Sequence, residues 1–278
     1  MKLHFIKANP TENMTVFIVD PIPRSMYMEV AKKVMDYSSI HAEQVGFIEK
    51  TSCENSEACV RLHMMGGEFC ANATRALAAV LVQRGHCKIQ RKEGEFIVPL
   101  EVSGSDEIIY CTVKPNNNIN SFISTAKIPL HRHIKDFSVN YKDGIRNGTL
   151  VEFPGIVHLV IDSEGIDSKE EFFINVKDQL KNLAYEALGI MFYNEAESYI
   201  EPLVYVKSTE SLIWERGCGS GTAALGITLS HRLKEGIDMI VKQPGGHLDI
   251  CTQWNENKIS DIYLKGIVDI PAEGIIYI

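Results

Sequence analysis

Residues 70–77 read Cys70-Ala71-Asn72-Ala73-Thr74-Arg75-Ala76-Leu77, and residues 218–225 read Cys218-Gly219-Ser220-Gly221-Thr222-Ala223-Ala224-Leu225. Counted from the cysteines, Cys, Thr, Ala and Leu recur at the same offsets, and Leu81 matches Leu229. Small residues follow each cysteine and an apolar helical pattern follows those, so each segment places a thiol at the start of a helix. Such a start presents unpaired N–H groups and the positive end of the helix dipole, which favour an anion. The same field lowers a thiol pKa, so each such site can hold a thiolate. Two such thiols on either side of one carbon can take a proton from one face and return it on the other. A single copy reads equally well as core packing, because buried free cysteine is common. Packing gives no reason to copy the cysteine and the threonine together.

Outward from the two copies, the chain is 278 residues long, enough for a large core, and the duplication points to two similar domains. The net charge of −8 argues against nucleic acid or an anionic membrane as partner. Met1–Phe5 lacks a signal-peptide core. No apolar run reaches the roughly 20 residues of a membrane span. The expectation is a cytoplasmic protein with no membrane or nucleic-acid partner. The seven cysteines are odd in number and scattered, with no Cys-x-x-Cys pair, which argues against a disulfide framework and against zinc. His131 and His133 stand on a polar stretch without a further ligand at metal spacing and read as surface residues. No metal is expected.

Strand signals dominate. Residues 15–19, 45–48, 96–100, 108–113, 156–161, 203–206, 239–241, 259–264 and 275–278 are rich in β-branched and aromatic residues. Residues 28–37 carry an apolar helical face. Residues 171–188 carry a longer stripe through Phe172, Val176, Leu180, Leu183, Ala184 and Leu188, with Gly189 as the stop. The two cysteine-led helices are apolar nearly all round, so each is expected to be wrapped by sheet with its N-terminus at a cleft. Lys114–Asn120, with Pro115 and three asparagines, reads as the hinge between halves, and Gln243-Pro244-Gly245-Gly246-His247 as a turn between strands.

With these motifs in place, the chain resembles the diaminopimelate epimerase superfamily of cofactor-independent racemases from end to end. Asn13, Glu43-Gln44, Cys70-Ala71-Asn72-Ala73, Cys218-Gly219-Ser220-Gly221 and Pro244-Gly245-Gly246 match its motifs. The resemblance implies an α+β fold of two pseudo-symmetric domains, each a β-rich barrel around a central helix. Residues 1–117 would carry Cys70 and 118–265 would carry Cys218, with a C-terminal strand at about 266–278 returning to the first domain. It also implies that Cys70 and Cys218 are the catalytic base and acid, that no cofactor is used, and that the protein is a homodimer. The backbone N–H groups of Ala71, Asn72, Gly219 and Ser220 would hold the substrate carboxylate. Asn13 and Gln44 are polar contacts by resemblance, and Glu43, Glu68 and Glu215 are candidates for a substrate ammonium or imidazole.

Departures from the superfamily pattern bear on substrate. Its Gly-Asn-Pro-His is here Gly155-Ile156-Val157-His158. Its Glu-Arg-Gly lies well before the second cysteine, whereas Glu215-Arg216-Gly217 here abuts Cys218, so Arg216 is not equated with the superfamily's Arg. The polar clamp for a second amino-acid centre is thereby altered. Glu43-Gln44-Val45-Gly46-Phe47-Ile48-Glu49, Glu68-Phe69-Cys70 and Ser211-Leu212-Ile213-Trp214-Glu215 resemble the histidine racemases of staphylopine-type metallophore pathways. The leading expectation is racemisation of histidine, a small amino acid. The alternatives are diaminopimelate epimerisation and, from another class, a thiol redox sensor.

Overall fold

Why the first cysteine segment folds as it does is visible in its neighbours. In the computed structural model, which describes residues 1–142, 144–207 and 210–278, the chain separates into two compact units, 1–128 with 263–278 and 129–262. The first unit contains strands β1 (Lys2–Asn9), β2 (Thr15–Ile18), β3 (Gln44–Glu49), β4 (Arg61–Met64), β5 (Gln90–Lys92), β6 (Glu95–Val102), β7 (Ile109–Pro115) and β8 (Ser121–Lys127). Helix α1 (Tyr27–Met35) lies between β2 and β3, and α2 (Ala71–Gln83) between β4 and β5. Ala71 through Leu81 of α2 are all buried, so the apolar surface of this helix has sheet to pack against on every side, from β1, β2, β6, β7 and β8. Leu77, Val80, Val98, Leu100, Val113 and Val268 share the resulting core. Truncating a buried leucine such as Leu77 costs about 2–5 kcal/mol.

The second unit contains β9 (His133–Tyr141), β10 (Gly144–Glu152), β11 (Ile156–Asp162), β12 (Ala187–Asn194), β13 (Tyr199–Val206), β14 (Ser211–Trp214), β15 (Asp238–Gln243) and β16 (Gly246–Asn255). Helix α3 (Lys169–Gln179) crosses between the parallel strands β11 and β12, and α4 (Gly219–Leu233) follows β14. Helix α4 packs against β10, β11, β12 and β16 of its own unit. Strand β17 (Lys258–Tyr277) begins in the second unit, and from Tyr263 it belongs to the first. There it pairs antiparallel with β8 over Tyr263–Asp269 and with β1 over Asp269–Tyr277. The strands expected at 259–264 and 275–278 are therefore parts of one element.

Two further expectations are corrected. The long helix expected over 171–188 ends at Gln179, and Leu188 and Gly189 lie inside β12. Gly189 is not a helix stop. A Cβ there would sit 2.3 Å from His158 Nδ1, so glycine is required for β12 to pass the buried imidazole on β11. Lys114–Asn120 is the connection between the antiparallel strands β7 and β8 within the first unit. Among the described residues, no helix is long and apolar enough to cross a membrane, and no cluster of three or more His, Cys, Asp or Glu is placed to hold a metal.

Candidate active site

Both cysteines are helix N-caps, and the two caps agree in detail. Cys70 has φ −128° and ψ 110°, and its Sγ accepts the Ala73 N–H at 3.4 Å. Cys218 has φ −103° and ψ 105°, and its Sγ accepts the Gly221 N–H at 3.3 Å. The threonine copied with each cysteine turns its hydroxyl back onto the cysteine carbonyl, Thr74 to Cys70 and Thr222 to Cys218, each at 2.7 Å. Cysteine thus takes the place usually filled by serine or aspartate, with extended backbone and a side chain on the third N–H of the helix. The N–H groups of Ala71 and Asn72, and of Gly219 and Ser220, fall in the first turn, where the helix supplies no acceptor of its own.

Around Cys70 the first unit assembles four of the residues singled out from sequence. Asn13, in the turn between β1 and β2, donates to Glu43 Oε2 at 2.7 Å. Its Oδ1 accepts from Gln44 Nε2 at 2.6 Å and from Asn72 Nδ2 at 3.0 Å. Gln44 Oε1 in turn accepts the Cys70 thiol at 3.1 Å. Asn13 and Asn72 are buried, and Glu43 is exposed. Glu68 is exposed on the approach to Cys70, with its carboxylate folded over Gly66.

The surroundings of Cys218 differ. The residue is buried, and its N–H donates to Gln243 Oε1 at 2.7 Å. Gln243 Nε2 donates to Thr222 Oγ1 at 2.9 Å, so one amide from the end of β15 ties both ends of the first turn. Ser220 Oγ lies 3.7 Å from Cys218 Sγ and 2.9 Å from His158 Nε2. Gly221 makes room for Met191, since a Cβ there would lie 2.1 Å from Met191 Sδ and 3.0 Å from Cys218 Sγ.

The thiol expectation is corrected for Cys218. Burial pushes it well above an ordinary thiol, and the adjacent Glu215 carboxylate, which accepts its hydrogen bond, pushes it further. The Gly221 N–H and Ser220 act in the opposite direction and are outweighed. A helix N-terminus lowers a thiol pKa only where desolvation and a like charge do not oppose it. Cys218 is therefore a thiol at neutral pH. His158 is held neutral by burial, its pKa lowered to about 3.

A family model described as the histidine racemase CntK N-terminal domain matches residues 2–277. A histidine racemase of Fusobacterium nucleatum subsp. nucleatum is 35% identical over 99% of this chain and 97% of its own length. The chain belongs to the histidine racemase family. Its activity is amino-acid racemisation, an isomerase reaction. A Staphylococcus aureus histidine racemase is 28% identical over 99% of this chain and 98% of its own length. Among solved structures, a hydroxyproline epimerase from Agrobacterium vitis with bound trans-4-hydroxy-L-proline superposes with a TM-score of 0.70. It is 10% identical and covers 99% of this chain and 92% of its own, a likeness of fold.

In this histidine racemase family member, reading by sequence passed over several residues that the fold brings to the caps. Gln243, at the edge of a turn in the sequence, holds the Cys218 backbone. His158 and Arg75 are wholly buried polar residues on a strand and a helix. The signal for Arg75 was present: a cation stands in the middle of a helix otherwise built from small and apolar residues.

Proposed function

We propose that this chain interconverts L- and D-histidine without pyridoxal phosphate, with Cys70 and Cys218 as its two proton carriers. In each direction a thiolate takes the Cα proton and becomes a thiol, while the other thiol gives its proton to the opposite face and becomes a thiolate. The observation that carries the reading is the duplicated cap, the same sulfur, N–H and threonine geometry at the start of α2 and of α4. The α-carboxylate is assigned to the first-turn N–H groups of Ala71, Asn72, Gly219 and Ser220, which supply fixed donors at no reorganisation cost. General acid–base help contributes about 10²–10⁴-fold and each well-placed donor about 10²–10³-fold, so the reaction needs both.

The same reading gives each unit the form of a β-rich barrel about its cysteine-led helix. In the first unit it is supported by a ladder that runs from β1 through β2, β3, β4, β6, β7, β8 and β17 and back to β1. Histidine as substrate is supported by the curated relatives and by Ile156, an apolar residue where the diaminopimelate epimerase pattern has an amide. Glu43 or Glu215 is assigned to the ammonium or the ring. A buried charged end left without a partner costs several kcal/mol, enough for strong discrimination against a second amino-acid centre.

The test follows optical rotation or circular dichroism of L-histidine, D-histidine, LL-diaminopimelate and meso-diaminopimelate with one enzyme batch. Loss of signal from both histidine enantiomers at equal end point, with diaminopimelate unchanged, is expected. Faster turnover of diaminopimelate would overturn the substrate. Absence of solvent-deuterium exchange at any α-carbon, together with a reversible Cys70–Cys218 disulfide, would establish the redox sensor instead.

A further inference from the structure

Helix α2 holds a cation whose hydrogen bonds all go to neutral acceptors. Arg75 is the bulkiest fully buried side chain among the described residues. Its guanidinium donates to Asn72 Oδ1 from Nε at 3.2 Å and from Nη2 at 3.1 Å. It also donates to the Ile267 carbonyl at 3.0 Å and to Thr11 Oγ1 at 2.9 Å. Ser124 Oγ donates to the Arg75 carbonyl at 2.8 Å and fixes the turn that carries it. Burial brings its pKa down to about 9, which still leaves a cation at neutral pH.

The carboxylates on β6 have other partners, and the buried thiol on β7 carries no charge. Glu101 on β6 is engaged by Ser52, Ser56 and Arg61, and Glu95 by Lys114. Lys7 on β1 reaches the carbonyls of Ile40 and His41. On β7, Tyr110 is exposed and Cys111 is a thiol pushed up to about 12 by burial. Lys127 closes β8 as a second cation. Asn72, which takes two of the Arg75 hydrogen bonds, lies in the turn that Cys70 caps, and Cys70 is among the groups whose ionised form attracts the guanidinium. The second copy of the motif has Ala223 at the position of Arg75 and has the Glu215 carboxylate beside its sulfur.

We propose that Arg75 is a positioning residue that keeps Cys70 a thiolate in the resting protein, so that the two copies start in opposite protonation states, Cys70 as base and Cys218 as acid. The inference rests on the two-cysteine reading. The Cys70 thiolate takes the α-proton and becomes a thiol, and the Cys218 thiol gives its proton and becomes a thiolate. The resting state returns when one proton leaves Cys70 and one reaches Cys218 through water. The Gln44 Oε1 contact at 3.1 Å opposes the thiolate, as does the negative charge of the exposed Glu43 and Glu68. A full charge in a dry site outweighs a neutral amide, and exposed carboxylates are screened by solvent.

The experiment is iodoacetamide alkylation of Cys70, followed peptide by peptide by mass spectrometry across pH, in native protein and in urea-unfolded protein. In the wild type the native midpoint is expected at least about one pH unit below the unfolded one, a tenfold faster reaction at neutral pH. Arg75→Gln is expected to remove that difference, and Arg75→Lys, which keeps the charge and loses the fork, to retain most of it. A wild-type midpoint at or above the unfolded value overturns the inference without any variant. So does an unchanged midpoint in folded Arg75→Gln. Should Arg75→Gln fail to fold, Arg75→Lys decides, since a midpoint raised to the unfolded value removes the role of charge. Alkylation requires no turnover, so failure here is separate from failure of the racemase reading, which is read by histidine inversion.

Discussion

A sulfur that caps a helix feels three things: the N–H groups it faces, the solvent it has lost, and the charges beside it. Cys70 and Cys218 share the first and differ in the others, so the same backbone geometry serves two electrostatic settings. The Asn13 side chain shows how closely the first setting is built, since its Oδ1 accepts from both Gln44 and Asn72 while its amide donates to Glu43. Asn13→Ala leaves the buried Asn72 amide and the half-buried Gln44 amide without that acceptor. It is expected to cost about 1–3 kcal/mol in urea unfolding and to lower kcat/KM for histidine at least about tenfold. A variant with wild-type kinetics would remove Asn13 from the site. His158 gives a pH signature. Its folded pKa, about 3, lies below the unfolded value of 6.5, so the unfolded chain binds the proton first as pH falls. Its contribution is present above pH 6.5 and is lost between 6.5 and about 3. Between pH 7 and pH 5 this term removes about 2 kcal/mol of stability. His158→Gln is expected to flatten the difference in unfolding free energy between those two pH values by that amount. An equal loss in variant and wild type would contradict the neutral buried imidazole.

At the scale of elements, α4 is fastened more heavily than α2. Thr222 Oγ1 donates to the Cys218 carbonyl and accepts from Gln243, which also holds the Cys218 N–H. Thr74 makes the corresponding bond to the Cys70 carbonyl. Thr222→Val strands the Gln243 amide and is expected to cost about 1–3 kcal/mol, more than Thr74→Val, as read by urea unfolding of the two variants side by side. Equal losses would mean that Gln243 finds another acceptor. Gly221→Ala brings a methyl against Met191 Sδ and Cys218 Sγ, and overpacking of this kind costs about 1–3 kcal/mol. The accompanying displacement of Cys218 is expected to show as a fall in kcat. Both cysteine-led helices could be read in the sequence because a capping residue, small residues and an unbroken apolar pattern all agree there. Strands such as β1, Lys-Leu-His-Phe-Ile-Lys-Ala-Asn, were passed over because charged and polar residues interrupt the apolar ones. The stripe from Phe172 to Leu188 misled for a different reason. Leu188 belongs to a strand whose side chains are buried on both faces, and a short buried strand carries no period of its own. Tertiary pairings such as His158 with Gly189, or Arg75 with Ile267, join residues too distant in sequence for any local pattern to record.

At the scale of the whole chain, β17 is the element that the first unit obtains from the far end of the sequence. It pairs with both β8 and β1, so ending the chain at Tyr263 leaves those two strands with open edges. That truncation is expected to abolish soluble folding, as read by expression and thermal melting. A soluble, cooperatively melting product would show that the first unit closes without its last strand. The family shows amino-acid racemisation, and the duplicated cap supports the proposed route through two sulfurs. Proton NMR of L-histidine and of D-histidine in deuterated water tests this most directly, with wild-type protein and with Cys70→Ala and Cys218→Ala, each checked for folding by thermal melting. The wild type is expected to replace the α-proton of either enantiomer with deuterium as it inverts it, and each single variant to lose inversion by at least about 10³-fold. Inversion at near wild-type rate by either folded variant would contradict the two-cysteine account.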